Sequence, residues 1–287
     1  MKSPALDYLR VETLSAALDA FAGQGGEAIY LAGGHSVVPS LTLRLQAPSL
    51  LIDISRIAEL SGIELIDGWL RIGAMTRHAE MISNPLIAAH APLLSAAAPH
   101  VAHPAIRNRG TIGGSLSLAD PASEFPAVAI AMRSEIEVVG PQGPRRVSAD
   151  DFFLGLYETA MAPGEILRSV FVPPVAAGQV VAFDELARRR GDYAMVGAGI
   201  QASLEGGRVE DASIAFFAVG SRPTRAASVE AALSGRMLDA VAIKAAQAAL
   251  ADDLEPDDQP NMSAAMRLHL ARVLLGRLLG NLGGPTA

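Results

Sequence analysis

Apolar positions along the chain change spacing in a way that reads as short strands and helices, then a strand pair, then helices alone. Leu14 to Phe21 has helical spacing and stops at Gly23. Ala28 to Leu31 is a short buried strand that runs directly into Ala32-Gly33-Gly34-His35-Ser36. Val37, Val38, Leu41, Leu43 and Leu45 are then expected to return the chain to the core, and Leu50 to Ile54 reads as a further strand. Gly62 to Ile66 and Trp69 to Ile72 flank Asp67-Gly68, a strong hairpin signal. Thr76 to Ser83 and Pro92 to Ala102 look helical, with Pro104 as a stop, and a second glycine-rich stretch follows over residues 106–115. Ala127 to Met132 closes that region. Glu135 to Val139 and Arg145 to Val147 frame a Gly-Pro-Gln-Gly turn. The Val172-Pro173-Pro174 break, with Ala176-Ala177-Gly178 after it, is the best boundary. Beyond it, Ala194 to Leu204 and Ala212 to Val219 read as an antiparallel pair, and helical patterns dominate from Ala226, split by the polar stretch Asp252 to Pro260.

Length supports the division: 287 residues are long for one core and suggest two domains. The chain has no cysteine, which excludes a disulfide, a thiolate zinc site and an iron–sulfur cluster of its own, so redox chemistry here needs an organic cofactor. A net charge of -7 argues against a nucleic-acid partner, which would require a basic face. Half of the residues are hydrophobic and the mean hydropathy is +0.30, yet Pro, His, Arg or Asp interrupts every apolar run before it could span a bilayer. The first twenty residues carry charges throughout and do not read as a signal peptide. A cytoplasmic protein with apolar surface to bury against partners fits these features.

The two glycine-rich loops are the informative feature. Adjacent glycines give access to positive φ and leave no Cβ in the way, so successive N–H groups can turn inward as an anion-binding nest suited to a pyrophosphate. One Gly-Gly pair is more often a tight turn. Two loops of one style, each after a short apolar segment and each followed by Ser, can clamp one diphosphate from both sides.

Other motifs carry less. Gly197-Ala198-Gly199-Ile200-Gln201-Ala202 matches a dinucleotide fingerprint, but a turn at Glu205-Gly206-Gly207 replaces the required helix and no acid lies about 20 residues on, so it reads as a strand of small residues. His100 and His103 lack a third metal ligand nearby and read as loop or capping residues. His35 shapes its loop. No Gly-x-Ser-x-Gly elbow, cysteine nucleophile or obvious carboxylate pair is present.

Leu31 to Ser36 and Arg109-Gly110-Thr111-Ile112-Gly113-Gly114-Ser115 resemble the two flavin loops of carbon monoxide dehydrogenase medium subunits, within the FAD subunits of the xanthine dehydrogenase family. Ala119-Asp120-Pro121-Ala122-Ser123-Glu124 and Arg189-Arg190-Gly191-Asp192-Tyr193-Ala194 match two further landmarks, and the resemblance runs along essentially the whole chain. It implies an α+β protein: a two-lobed FAD-binding domain of the p-cresol methylhydroxylase type over residues 1–176, then residues 177–287 with a three-stranded antiparallel sheet and a helical bundle. It further implies that Ala32, Gly33, Gly34, His35 and Ser36, with Thr111, Ile112, Gly113, Gly114 and Ser115, wrap the FAD diphosphate and ribityl chain. Asp120 and Glu124 would accept hydrogen bonds from flavin or ribose hydroxyls, and Tyr193 would wall the isoalloxazine ring. No catalytic residue or metal ligand is assigned to this chain. Ser115 stands where many relatives have Asn, Glu124 where Asp is also common, and Glu185 where several carry a basic residue; Arg188 to Arg190 read as a solvated basic turn.

The function implied is electron relay. FAD in this chain would take electrons from [2Fe-2S] clusters in a small partner, after oxidation at a molybdopterin-type molybdenum cofactor in a large partner, and pass them to an external acceptor. A dimer of heterotrimers is the expected assembly. The rival reading is a self-sufficient FAD-dependent oxidoreductase built on the same flavin domain.

Overall fold

The structure, a computed structural model, describes residues 3–282. Its first unit contains β1 (Asp7–Arg10), α1 (Leu14–Ala22), β2 (Ala28–Leu31), α2 (Val37–Thr42) and β3 (Leu50–Asp53). These form a parallel sheet of order β1-β3-β2, with the wholly buried β3 in the middle. The Thr13 side chain caps α1 by accepting from the Ala16 N–H at 3.2 Å. The expected return of five apolar residues to the core holds only for Leu41. Val38, Leu43 and Leu45 are 49%, 56% and 74% exposed, because the six-residue α2 turns a single narrow face inward.

A second unit follows: β4 (Ile63–Ile66), β5 (Trp69–Gly73), α3 (His78–Ser83), α4 (Pro85–His90), α5 (Pro92–Ala97), α6 (Pro104–Arg107), α7 (Ile112–Leu118), α8 (Glu124–Ala131), β6 (Glu135–Gly140), β7 (Gly143–Ser148), α9 (Ala149–Phe152), β8 (Phe153–Gly155), β9 (Glu158–Thr159) and β10 (Ile166–Val172). Its main sheet is antiparallel, of order β4-β5-β10-β6-β7. Asp67 and Gly68, at φ 50° and 83°, supply the two left-handed residues that a tight hairpin requires. Pro104 starts α6 rather than stopping a helix, since a first-turn residue has no need of its N–H. Every residue of α8 from Phe125 to Ala131 is buried, as a helix apolar on all sides must be.

The remaining chain builds β11 (Gln179–Ala187), β12 (Ala194–Glu205), β13 (Arg208–Phe217), β14 (Thr224–Arg225), α10 (Ala227–Leu233), α11 (Ala240–Ala249) and α12 (Ala264–Leu282). The sheet has order β11-β12-β13-β14, so the three long strands gain a two-residue fourth. Its two faces serve two cores. Val196, Ala198, Ile200, Ile214 and Phe216 pack with residues of α10 to α12, whereas Ala215 and Phe217, with Val181 and Phe183, join the core around α5 and α8. The small-residue run of β12 is explained by this second face: a Cβ at Gly197 would lie 2.0 Å from the Phe217 ring, and one at Gly199 3.4 Å from Leu93. Arg133 grips Asp211 through two hydrogen bonds of 2.6 and 2.8 Å, and Arg225 reaches Asp150 at 3.0 Å, tying the sheet to the second unit. No helix among the described residues is long and apolar enough to cross a membrane.

Candidate functional site

The first glycine-rich loop leaves the end of β2, an edge strand, and enters α2. Gly34 sits at φ 83°, which only glycine adopts without strain, and the backbone N–H groups of residues 32–36 find no acceptor among the described residues. Five consecutive free donors at a bend are a cradle for an anion. His35 and Ser36 are exposed at its rim.

The second loop is built differently. Ile112 donates its N–H to the Thr76 carbonyl at 3.0 Å and Gly113 donates to Ala74 at 2.9 Å. Gly114 donates to the Thr111 hydroxyl at 3.1 Å, and Ser115 to the Thr111 carbonyl at 3.0 Å. The expectation of a nest of inward N–H groups here is therefore corrected: all four are engaged, and the residues form the first turn of α7. Thr111, Ile112 and Gly113 are buried, and a Cβ on Gly113 would lie 2.5 Å from the Ala74 Cβ. Gly113 is needed for close packing and not for positive φ.

The two loops meet. A Cβ on Gly33 would lie 2.4 Å from the Arg109 carbonyl oxygen and 3.1 Å from the Gly110 Cα, so only glycine permits this approach. Beneath Gly110 lies His78, buried and edge-on to Phe125 at 4.9 Å; burial pushes its imidazole down to about 4, so it is neutral at physiological pH.

Beside Ala32 opens a cleft of about 360 Å³ lined also by Arg10, Asp53, Arg56, Arg77 and Arg109. Sequence reading missed these arginines, which come from four separate segments; only Arg109 lies inside a quoted motif. Asp53 accepts from Tyr8, from Arg10 at 3.2 Å and from the Ser55 N–H at 2.9 Å. Burial acts to raise its carboxyl, but these bonds from Ser55, Tyr8 and Arg10 outweigh it and hold it at about 2. Arg77 donates to the Arg109 carbonyl, and burial followed by repulsion from Arg109 lowers its affinity for a proton. Crowded guanidinium groups next to free amides favour a multiply charged anion, which is what a diphosphate supplies.

On the other side of α7, the structure gathers Ser115, Asp120, Glu124 and Tyr193. Ala119, in the left-handed region at φ 50°, ends α7 and turns the chain into Asp120. One Asp120 oxygen accepts from the Ala122 N–H at 2.9 Å, while the other lies 3.5 Å from the hydroxyl of Tyr157, a residue without a sequence signal. The Ser115 hydroxyl meets that of Ser123 at 2.9 Å, so the second loop presents a hydroxyl pair beside Asp120. Tyr193 is 75% exposed, an open aromatic face. Burial, then the nearby Asp120 and Glu124 charges, raise its phenol above the ordinary value. Glu185 pairs with His100, 3.7 Å away, and His103 precedes α6 against Gly191.

The donor set fits FAD: free amides and arginines for the diphosphate, close-packed glycines where the loops meet, and an exposed tyrosine beyond. Comparison with known proteins agrees. Residues 4–175 match the family described as the FAD binding domain in molybdopterin dehydrogenase, and residues 181–282 the CO dehydrogenase flavoprotein C-terminal domain. The chain is 38% identical over 280 residues to the 6-hydroxypseudooxynicotine dehydrogenase complex subunit alpha of Paenarthrobacter nicotinovorans, covering 97% of this chain and 95% of the relative. It is 35% identical to the carbon monoxide dehydrogenase medium chain of Hydrogenophaga pseudoflava, covering 97% of each. A solved structure of carbon monoxide dehydrogenase from that organism superposes with a TM-score of 0.95 over 98% of both chains at 38% identity. The chain therefore belongs to the family of FAD-binding medium subunits of molybdenum hydroxylases, of the carbon monoxide dehydrogenase medium-chain type.

Proposed function

We propose that this chain is the electron-relay subunit of a heteromeric molybdenum hydroxylase, with FAD lying across the junction of its two loops. The observation that carries the reading is the run of free N–H groups at residues 32–36, set beside Arg77 and Arg109 where the second loop closes on Gly33. In it, the amides of Ala32, Gly33, Gly34, His35 and Ser36 hold the diphosphate. Thr111, Ile112, Gly113, Gly114 and Ser115 form a rigid wall against the ribityl chain, with Ser115 and Asp120 presenting oxygens to its hydroxyls. Glu124 faces the ring end, and Tyr193 flanks the isoalloxazine. We assign residues 1–176 to the FAD-binding domain and residues 177–287 to the C-terminal flavoprotein domain.

When bound, FAD supplies one- and two-electron chemistry. The chain orients it, neutralises its phosphates and limits access to its ring. Substrate oxidation belongs to a large partner with a molybdopterin-type cofactor, electrons arrive through [2Fe-2S] clusters of a small partner, and an external acceptor removes them. A dimer of such heterotrimers in the cytoplasm is the assembly we favour. The exposed Val38, Leu43 and Leu45 beside the first loop, and Leu154 and Leu156 on the second unit, are apolar surface of the kind a subunit interface buries.

The test is division of labour. Expressed alone and loaded with FAD, the chain should oxidise none of the intact complex's organic substrates, while its chemically reduced flavin should still pass electrons to an acceptor dye. Turnover should return when the molybdenum and iron–sulfur chains are added. Full substrate turnover by the lone chain would refute the relay and favour a self-sufficient flavoenzyme.

A further inference from the structure

The short hairpin of β8 and β9 carries a residue whose backbone and surroundings disagree. Phe153 pairs with Thr159 and Gly155 with Glu158, leaving Leu156 and Tyr157 as the turn. Tyr157 sits at φ 55°, in the left-handed region where turns ordinarily place Gly or Asn. It is the one aromatic residue among those described at positive φ. Packing does not offset this conformation, because Tyr157 is 57% exposed. The base of the hairpin, by contrast, is firmly held. Phe152 and Phe153 are fully buried and meet edge-on at 5.1 Å. The Phe152 carbonyl accepts from the Ala160 N–H at 2.8 Å, and the Phe153 carbonyl accepts from Arg222 at 3.1 Å. β9 also packs against α7, whose first turn is the second loop. The tip is therefore aimed by a fixed base.

What the tip reaches is Asp120, the residue just past the left-handed Ala119 that ends α7. The Tyr157 hydroxyl lies 3.5 Å from Asp120 Oδ2, while Oδ1 already accepts from the Ala122 N–H at 2.9 Å. Tyr157 thus addresses the oxygen that no other described residue holds. Burial first, then the Asp120 charge and Tyr193, raises its phenol above the ordinary value, so the hydroxyl keeps its proton and donates. An aromatic side chain retained at a strained, exposed turn points to a task other than folding. We propose that Tyr157 is a positioning residue of the flavin site: from the hairpin tip, its hydroxyl fixes the Asp120 carboxylate that receives the ribityl hydroxyls. This role rests on the proposed placement of FAD, since it needs the ribityl chain to pass Asp120.

Two properties of the residue separate in this arrangement. Its left-handed backbone costs stability whether or not flavin is present, and glycine would remove that cost. Its hydroxyl contributes where Asp120 must keep one orientation. A bond of 3.5 Å is long, so the contribution is modest. Even so, a carboxylate held at both oxygens has fewer orientations to lose when a ligand binds. Stability and flavin affinity should therefore move in opposite directions when Tyr157 is replaced by glycine. A residue that merely supports the fold would lower both.

The experiment uses the full chain as wild type, Tyr157→Phe, Tyr157→Gly, Asp120→Ala and the double variant Tyr157→Phe with Asp120→Ala. Titration of flavin fluorescence gives the FAD affinity, and thermal unfolding of the flavin-free chains gives the Tm. Tyr157→Phe should keep the Tm and weaken FAD binding about three- to tenfold. Tyr157→Gly should weaken binding at least as much, while its Tm equals or exceeds that of the wild type. Asp120→Ala should weaken binding too, and Tyr157→Phe should add little on that background, because the two residues act through one contact. Full affinity in Tyr157→Phe, a joint loss of Tm and affinity in Tyr157→Gly, or additive losses in the double variant would overturn the role of Tyr157 alone. A wild-type chain that binds no FAD, or Asp120→Ala with wild-type affinity, would instead overturn the placement of FAD and this role with it.

Discussion

Replacing Gly33 with Ala separates loop geometry from fold stability. The new Cβ would lie 2.4 Å from the Arg109 carbonyl oxygen, closer than real Cβ atoms come to backbone, so one loop must retreat by about half an ångström or more. Arg109 is exposed and its loop lies at the surface, so the retreat opens the junction more readily than it disturbs the core. Hydrogen bonds to a charged group contribute about 1.5–3 kcal/mol each. Misplacing one or two amides should then weaken FAD binding by roughly one to two orders of magnitude, at about 1.4 kcal/mol per decade. Gly113→Ala is the contrasting variant. Its Cβ would lie 2.5 Å from the Ala74 Cβ and 2.8 Å from the Ala74 oxygen, inside the core, where overpacking costs about 1–3 kcal/mol. At about 2–4 °C per kcal/mol for a chain near this size, the Tm should fall by several degrees. Titration of flavin fluorescence gives the affinity, and thermal unfolding of the flavin-free chains gives the Tm. Full-affinity binding by Gly33→Ala would refute the junction as the flavin site. Equal ratios of affinity loss to Tm loss in the two variants would refute the distinction between an open cradle and a packed wall.

Three further outcomes follow from the same geometry. Asp53, held at about 2, contributes stability that is present above pH 4 and lost as pH falls through 2, worth about 2 kcal/mol; in Asp53→Asn, acid unfolding followed by circular dichroism should lose that part of its pH dependence. Replacing both Arg77 and Arg109 with Met should weaken FAD binding about tenfold or more and flatten its dependence on salt, measured by calorimetry at two ionic strengths; an unchanged salt dependence would remove the arginines from the site. Tyr193→Ala should change flavin fluorescence or the reoxidation rate far more than FAD affinity, since the diphosphate is held elsewhere; unchanged fluorescence and kinetics would return Tyr193 to a surface role.

What was legible in the sequence is what leaves a local mark. A strand running into Gly33-Gly34, a hairpin at Asp67-Gly68 and a strand of small residues around Gly197 each impose a backbone requirement on consecutive positions, and each stands where the pattern placed it. β11 was not legible, because all nine of its residues are half-buried between two cores and show no alternation. The apolar residues after the first loop misled for the opposite reason: Val38, Leu43 and Leu45 are apolar yet exposed, so hydrophobicity there does not mark this chain's own core. The convergence of Arg10, Arg56, Arg77 and Arg109 joins segments far apart in the chain, and no spacing rule brings them together. Nor could spacing reveal that the second loop's amides are already engaged by Ala74, Thr76 and Thr111.

That asymmetry between two similar-looking loops bears on how such a site works. The second loop is tied to the turn after β5 through Ala74 and Thr76, and the N–H groups of residues 112–115 are already engaged. The first loop belongs to the other unit and leaves its donors open, so it is the side that gains from an anion. Because Gly33 lies against Arg109 and Gly110, the position of the free amides is set by how the two units dock. On the proposed placement of FAD, binding and docking are one equilibrium: a ligand that bridges the loops favours the docked arrangement by its differential affinity for it. The core shared by α5, α8 and the C-terminal sheet holds one side of that junction in place. Phe217 and the small residues of β12 thus act on the loop junction at a distance, by fixing the unit that carries the second loop. The glycines that look alike in the sequence therefore have different physical tasks: Gly34 opens a donor-rich bend, Gly33 permits contact between units, and Gly113 permits packing within one.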